Sequence, residues 1–187
     1  MTSPLSRRGA LGLAVLSACA LAVAAMGPRA PQDDSGALKA LSYPRTIVLV
    51  RHAEKDVEPK DDPNLSEAGA TRAKRLSDML SKSGVTHAFA TEYQRTQQTL
   101  SLLSVASGVN VQVVPARSVD TLLSALDSLP KNAIAVVAGH SNTVPMLVDK
   151  LSGGQTKVKI DDAEYDRIFF VTQWGPGKES RVVELRY

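Results

Sequence analysis

The sequence predicts an α/β protein, a three-layer sandwich in which a mostly parallel sheet carries helices on both faces. Two short apolar runs rich in valine and isoleucine, TIVLV at 46–50 and AIAVVA at 133–138, are typical of strands buried on both sides. Segments with apolar residues at helical spacing follow these strands, and strand and helix alternate four times along the chain. The 43% hydrophobic and 22% charged composition is that of a globular protein rather than a disordered one.

Each predicted element is bounded by a recognisable signal. The first helix has Ala73, Leu76 and Leu80 at helical spacing, and glycines close the first two helices. The polar tract 153–165 shows no clear period and is predicted to be a flexible rim. The predicted strands are 46–50, 86–90, 109–114 (an edge strand), 133–138, and a closing hairpin of 166–174 and 180–187, and the predicted helices are 66–84, 92–108, 118–130 and 142–154.

The first 26 residues have the layout of a bacterial export signal. A short basic region is followed by 17 residues without charge, ALGLAVLSACALAVAAM at 10–26, and then by a proline-rich linker at 27–43. Three routes remain open: a signal cleaved after a small-x-small site such as Ala22–Ala24, a lipoprotein signal that places a lipid on Cys19, and an uncleaved membrane anchor. We therefore expect a periplasmic, secreted or membrane-anchored protein that touches membrane only through this segment.

Composition also argues against several classes of function. The net charge is +3 and no run of five or more lysines and arginines occurs, so we expect no nucleic-acid binding. Cys19 is the only cysteine, so the domain from residue 44 onward has neither a disulfide nor thiol chemistry. The sequence contains no carboxylate cluster and no HExxH spacing, so we expect no metal or other cofactor.

Polar side chains follow three of the predicted strands at the point where each strand ends. Arg51 and His52 follow the first strand, Arg95 lies one helical turn beyond the second, and His140 and Ser141 follow the strand 133–138. Because the carboxyl ends of parallel strands meet at one edge of a sheet, we expect these groups to converge. Two guanidinium groups match the oxygens of a phosphoryl group, and a histidine beside them either donates a hydrogen bond or acts as a nucleophile.

Four segments resemble motifs of the histidine phosphatase superfamily, also called phosphoglycerate mutase-like. They are LVRHAEK at 49–55, NLSEAGATRA at 64–73, ATEYQRTQQTL at 90–100 and VVAGHSNTVP at 136–145, and they occur in the family's order. The resemblance implies a phosphoglycerate mutase-like histidine phosphatase domain at 44–187, in the small phosphatase branch. The family's usual Arg-His-Gly start differs here, because Ala53 stands where the glycine does. Alanine suits that position only if the backbone does not need a positive φ.

The resemblance implies a mechanism on a small phosphorylated substrate without metal. His52 would be the nucleophile that forms a phosphohistidine, and Arg51, Arg95 and His140 would hold the phosphoryl oxygens in the transition state. Ser141 is a further candidate, through its backbone N–H. The family's glutamate acid has no direct counterpart, and Glu54 and Asp120 are equally ranked substitutes.

The function that follows is an exported phosphatase acting on phosphomonoesters or phosphohistidine. Two alternatives remain, a binding module that retains a phosphorylated ligand without turnover and a phosphomutase. The chain has no obvious lid insertion, which favours a phosphatase over a mutase.

Overall fold

The fold was established from a computed structural model that describes residues 44–175 and 179–187. Within these residues the chain forms a six-stranded sheet and four helices. The strands are β1 (Arg45–Arg51), β2 (His87–Ala90), β3 (Val111–Val113), β4 (Ile134–Gly139), β5 (Arg167–Gln173) and β6 (Ser180–Arg186), and the helices are α1 (Glu67–Leu80), α2 (Gln94–Ser107), α3 (Val119–Asp127) and α4 (Thr143–Leu151).

The sheet has the order β3-β2-β4-β1-β5-β6. The first four strands in this order pair in parallel, while β5 and β6 pair antiparallel at one side. β1 and β4 lie at the centre with Arg51 opposite Gly139, so the polar residues that follow both strands leave the sheet at the same level. This arrangement confirms the predicted α/β fold with a mostly parallel sheet.

Successive residues of β1 are buried because they face different helix layers. Ile47 and Leu49 pack with residues of α3 and α4, whereas Val48 and Val50 pack with residues of α1 and α2. All four side chains are at most 1% exposed. The continuous apolar run in the sequence therefore reflects burial on both faces of the sheet, and the three-layer prediction is confirmed.

The elements differ from the predicted ones mainly at their ends. The first helix stops at Leu80 rather than at Gly84, and a turn covers the residues between them. The second helix ends as predicted at a glycine, since Gly108 adopts the left-handed conformation with φ 69°. The edge strand is shorter than predicted, three residues, and lies at the sheet edge as expected.

The predicted export segment 1–26 and linker 27–43 lie outside the described residues, as does the tip of the closing hairpin at 176–178. The part of the chain that is described contains no helix long and apolar enough to cross a membrane.

Candidate active site

Strand register brings the two predicted catalytic histidines to one point. His52 directly follows β1, and its backbone N–H donates to the carbonyl of Gly139 at 2.9 Å. Gly139 is the last residue of β4 and precedes His140. The two imidazole rings meet edge to face with their centroids 5.4 Å apart. Residues 88 positions apart in the chain thus share one pocket.

Hydrogen bonds fix the tautomer of His52 and orient both histidines. Nδ1 of His52 lies 2.8 Å from the carbonyl oxygen of Ala53 and must donate to it, because a carbonyl only accepts. The lone pair of His52 is therefore on Nε2. Nε2 of His140 bonds to the hydroxyl of Thr91 at 3.0 Å, and the backbone N–H of His140 donates to Thr143 Oγ1 at 2.9 Å.

Both imidazoles are neutral at physiological pH. The pKa of His52 is lowered to about 3, mainly by burial and in addition by the neighbouring His140 and arginines, against the opposing effect of the Ala53 bond. Burial, followed by Arg95, lowers the pKa of His140 to about 4, while Glu92 acts in the opposite direction. His52 therefore presents an unprotonated Nε2, the state a nucleophile needs.

Arg51 is held by the backbone of the tract that the sequence predicted to be a flexible rim. Its Nη1 donates to the carbonyls of Asp161 and Asp162 at 2.9 Å and of Glu164 at 3.1 Å. The guanidinium stacks on the ring of Tyr165, 4.1 Å from its centroid. The Nε atom, by contrast, is buried without a hydrogen-bond partner.

Arg95 lies in the first turn of α2 and is held more loosely. Its guanidinium stacks on Tyr93, 4.2 Å from the ring centroid, and its Nη1 lies 3.7 Å from Asp62 Oδ1. The Nε atom of Arg95 is also buried without a partner. Buried donors are almost always paired in folded proteins, so two unpaired guanidinium donors in one pocket indicate a place where an anion binds.

The segment after His52 is anchored to α2. The backbone N–H of Ala53 donates to Thr99 Oγ1 at 2.9 Å, and this hydroxyl donates to the carbonyl of Arg95 at 2.7 Å. Ala53 is fully buried and is not among the residues with positive φ, which explains why alanine is accommodated where the family has glycine. Nearby, Gly69 packs closely against the backbone of Glu54, and a Cβ at residue 69 would clash with the carbonyl oxygen of Glu54.

Neither of the two predicted acids points into this pocket. Glu54 is paired with Arg72, whose Nε donates to the carboxylate at 2.9 and 3.0 Å and whose Nη2 donates at 2.7 Å. Burial raises the pKa of Glu54, but the bonds from Arg72 outweigh it, so the pKa lies below its ordinary value. Asp120 has a side chain 93% exposed in the first turn of α3, 3.9 Å from Lys150 Nζ. Both environments are those of structural or surface carboxylates.

Ser141 lies at the rim of the pocket. Its hydroxyl donates to Asp162 Oδ1 at 3.3 Å. It is not the cap of α4, because Asn142 takes that position without a side-chain capping bond.

Sequence reasoning missed several residues that shape the pocket. They are the two stacking rings, the two rim carboxylates and the two hydroxyls that hold the histidine segments: Tyr93, Tyr165, Asp62, Asp162, Thr91 and Thr99. Tyr93, two residues before Arg95, could have been noticed as a ring at the start of the helix. Thr99 lies in α2, and the other four come from loops whose placement has no periodic signal.

An apolar pocket adjoins the site, with an empty volume of about 330 Å³ that includes its open mouth. It lies between the ends of β2 and β4 and helices α3 and α4, and Thr91 and Gly139 form the wall nearest His140. Among the described residues, no group of three or more histidine, cysteine, aspartate or glutamate side chains is arranged to hold a metal ion.

Several solved structures have the same fold as the described residues. The protein histidine phosphatase SixA, solved with tungstate, matches with a TM-score of 0.61 and 18% identity over 75% of this chain and 96% of its own. A mycobacterial glucosyl-3-phosphoglycerate phosphatase, solved with VO3, matches with a TM-score of 0.59 and 16% identity over 76% and 98% of the two chains. A protein of Agrobacterium tumefaciens assigned as phosphohistidine phosphatase SixA matches with a TM-score of 0.59 and 18% identity over 78% and 100%.

The match to a family model covers a shorter part of the chain than the structural matches do. A search among curated proteins gives no match. The family model of the histidine phosphatase superfamily (branch 1) matches residues 47–117, which include β1, the loop after His52 and the segment of Arg95. The remaining elements complete the fold shared by the solved structures above. The family model therefore matches the part of the chain that contains His52 and Arg95, and the solved structures match the fold of the described residues.

Proposed function

We propose that the protein is a metal-independent phosphatase that hydrolyses phosphomonoesters or phosphohistidine through a phosphohistidine at His52. The observation that carries this proposal is the pocket in which the neutral His52 lies beside two arginines with unpaired, buried Nε atoms. A phosphoryl group supplies the acceptors that these donors lack. Tungstate and vanadate bound to proteins of the same fold are tetrahedral or related oxyanions of similar size.

In the first step, Nε2 of His52 attacks phosphorus while the bond to the leaving oxygen or nitrogen breaks. Arg51 and Arg95 receive the charge that develops on the phosphoryl oxygens. The bond from Nδ1 of His52 to the carbonyl of Ala53 stabilises the positive charge that the ring acquires when it is phosphorylated. The products of this step are a phosphohistidine and the leaving group, which takes up a proton from the solvent.

In the second step, water attacks the phosphorus of the phosphohistidine. The P–N bond breaks, inorganic phosphate forms, and the electron pair returns to Nε2 of His52. The proton balance is neutral over the two steps, since water provides the hydroxyl retained on phosphate and the proton taken up by the leaving group.

The positions of Glu54 and Asp120 bear on the substrate class. With Glu54 paired to Arg72 and Asp120 exposed on α3, neither is a ready proton donor to a leaving group. Substrates whose leaving group departs without strong protonation, such as aryl phosphates and phosphohistidine, should therefore be hydrolysed faster than alkyl phosphates.

The direct test uses the domain from residue 44 onward and an aryl phosphate in the presence of EDTA. Wild-type protein should release inorganic phosphate and, when quenched in alkali, carry acid-labile phosphate on His52. His52→Ala should lose at least about a thousandfold in kcat, because the nucleophile is gone. Full activity in this variant would exclude the mechanism.

The binding module is the main rival, and the feature that favours it is that neither Glu54 nor Asp120 points into the pocket. It predicts tight binding of phosphate with no turnover of any aryl phosphate. A phosphomutase would instead move the phosphoryl group between two positions of one substrate, which phosphorus NMR of a sugar or glycerate phosphate would detect.

We also propose that the protein is exported, on the basis of the sequence pattern of residues 1–26. Fractionation of a bacterial host that expresses the full chain should recover it outside the cytoplasm. If Cys19 carries a lipid, the membrane fraction should be labelled by a fatty acid and Cys19→Ser should abolish the label.

A further inference from the structure

Two carboxylates stand at the mouth of the anion pocket, one beside each arginine. Asp62 Oδ1 is 3.7 Å from Arg95 Nη1, and Asp162 Oδ1 is 4.0 Å from Arg51 Nη2. Both distances exceed that of a hydrogen bond, and the Nε atoms of both arginines remain buried and unpaired. Each aspartate therefore contributes negative charge at the mouth without taking the place of the anion.

Asp62 is fixed by contacts that do not depend on the arginine. Its Oδ1 accepts the backbone N–H of Gln94 at 2.9 Å at the start of α2. The loop that carries it is closed by the bridge between Lys55 and Leu65, and the N–H of Leu65 donates to the side chain of Gln98 at 2.8 Å. The carboxylate should stay in place when an anion enters the pocket.

Asp162 is fixed in its backbone but more exposed in its side chain. Its carbonyl accepts from Arg51, and its carboxylate accepts from Ser141. Its side chain is 96% exposed, against 38% for Asp62. Because solvent and salt screen exposed charges, the effect of Asp162 on a bound substrate should be the smaller of the two.

We propose that Asp62, with a smaller contribution from Asp162, makes the site select substrates by the charge of their leaving group. The phosphoryl group binds between the arginines, and the rest of the substrate leaves the pocket past these carboxylates. A cationic leaving group, as in the phosphate ester of an amino alcohol or a phosphorylated nitrogen base, is attracted there, and a second anionic group is repelled. This selection rests on the proposed phosphatase function and specifies its substrate class.

The test compares three aryl phosphates of matched shape, which carry an aminomethyl, an ethyl or a carboxymethyl group at the meta position. The methylene group keeps the basicity of the leaving phenols similar. At low salt, kcat/KM should fall in the order cation, neutral, anion, with about a tenfold or larger spread between the ends. Asp62→Asn should compress this spread by about threefold to tenfold, and Asp162→Asn by less.

The matched control is Asp61→Asn, which removes an exposed charge from the same loop. It should leave the order and the spread nearly unchanged. The asparagine in Asp62→Asn keeps an oxygen that accepts from the N–H of Gln94, so the start of α2 is preserved.

A binding measurement separates this proposal from the phosphatase proposal. Calorimetric titration of the same three compounds into the His52→Ala variant reads the charge preference without any turnover, so it holds even if no substrate is hydrolysed. Equal affinities in this variant, or a spread that survives in Asp62→Asn/Asp162→Asn, would overturn the proposal. So would a fall in kcat of Asp62→Asn that grows with the basicity of the leaving phenol, because Asp62 would then be a proton donor.

Discussion

The candidate site consists of two halves that contain the same types of residue but differ in the contacts that hold the arginine. Each half has a histidine that faces a tyrosine ring, an arginine stacked on that ring, and an aspartate near the arginine. The Arg51 half contains Arg51, His52, Tyr165 and Asp162, and the Arg95 half contains Arg95, His140, Tyr93 and Asp62.

The halves differ in what holds the arginine. Arg51 gives three hydrogen bonds to backbone carbonyls, whereas the polar neighbour of Arg95 is a carboxylate at 3.7 Å. Arg51 is therefore fixed relative to the adjacent His52, while Arg95 keeps most of its donors for a ligand. Under the proposed mechanism, the Arg51 half would set the geometry of attack and the Arg95 half would mainly supply charge.

The largest expected contrast is between Arg51→Lys and Arg95→Lys. A lysine at residue 51 cannot donate to all three carbonyls and also present two parallel N–H donors to a phosphoryl group. We therefore expect kcat/KM on an aryl phosphate to fall about a hundredfold to a thousandfold. The free energy of unfolding should also fall, by about 1 kcal/mol, because three part-buried carbonyls lose their donor.

Arg95→Lys keeps a positive charge in a half that relies on charge. Its kcat/KM should fall less, about tenfold to a hundredfold, with little change in urea-induced unfolding. Equal losses of activity and of stability in the two variants would show that Arg51 and Arg95 do not differ in role as described above.

The second contrast is in the pH dependence of stability. The pKa of each histidine is lower in the folded protein, about 3 for His52 and about 4 for His140, than the ordinary value of 6.5. Between these values the unfolded chain binds more protons, so the free energy of unfolding must fall as the pH falls below about 6.5. Because pH 5 lies above both folded-state pKa values, each histidine should account for up to about 2 kcal/mol of the loss at pH 5, with a slightly smaller share for the more exposed His140.

Urea unfolding at pH 7 and pH 5 in buffer free of phosphate measures this loss. His52→Gln and His140→Gln should each remove a similar part of it, slightly less for His140→Gln. Titrating carboxylates contribute equally to the pH dependence of unfolding in wild type and in both variants, so their contribution cancels when each variant is compared with wild type. A wild-type loss that neither substitution reduces would mean that other groups carry the pH dependence.

The sequence predicted the parts of the site that follow strand ends, and the reason is physical. Buried strands are apolar runs, and parallel strands end at a common edge, so Arg51, His52 and His140 could be expected to converge before any coordinates were known. The resemblance of four motifs then suggested a role for each. The helix ends were less accurate because the serines between Leu80 and Gly84 form a turn that hydrophobic spacing cannot distinguish from a last helical turn.

The loops could not be predicted in the same way. The tract 153–165 has no period, yet its carbonyls hold Arg51 and its last residue, Tyr165, stacks on that arginine. Backbone carbonyls are present in every residue and leave no trace in the sequence. Asp62 likewise reaches the start of α2 through the fold of its loop, so its position beside Arg95 depends on contacts 32 residues apart.

The smallest expected contrast is between the two stacking rings. Each tyrosine ring lies about 4 Å from a guanidinium carbon, and a desolvated interaction of this type contributes about 1–2 kcal/mol. Tyr93→Leu should weaken the binding of inorganic phosphate about threefold to tenfold, because Arg95 has little else to orient it. Tyr165→Leu should weaken it less, because three carbonyls still orient Arg51. Titration calorimetry with phosphate measures both, and Tyr93→Phe and Tyr165→Phe, which retain the ring, should bind like wild type. A larger loss of phosphate affinity in Tyr165→Leu than in Tyr93→Leu would show that the Tyr165 ring, rather than the backbone carbonyls, orients Arg51.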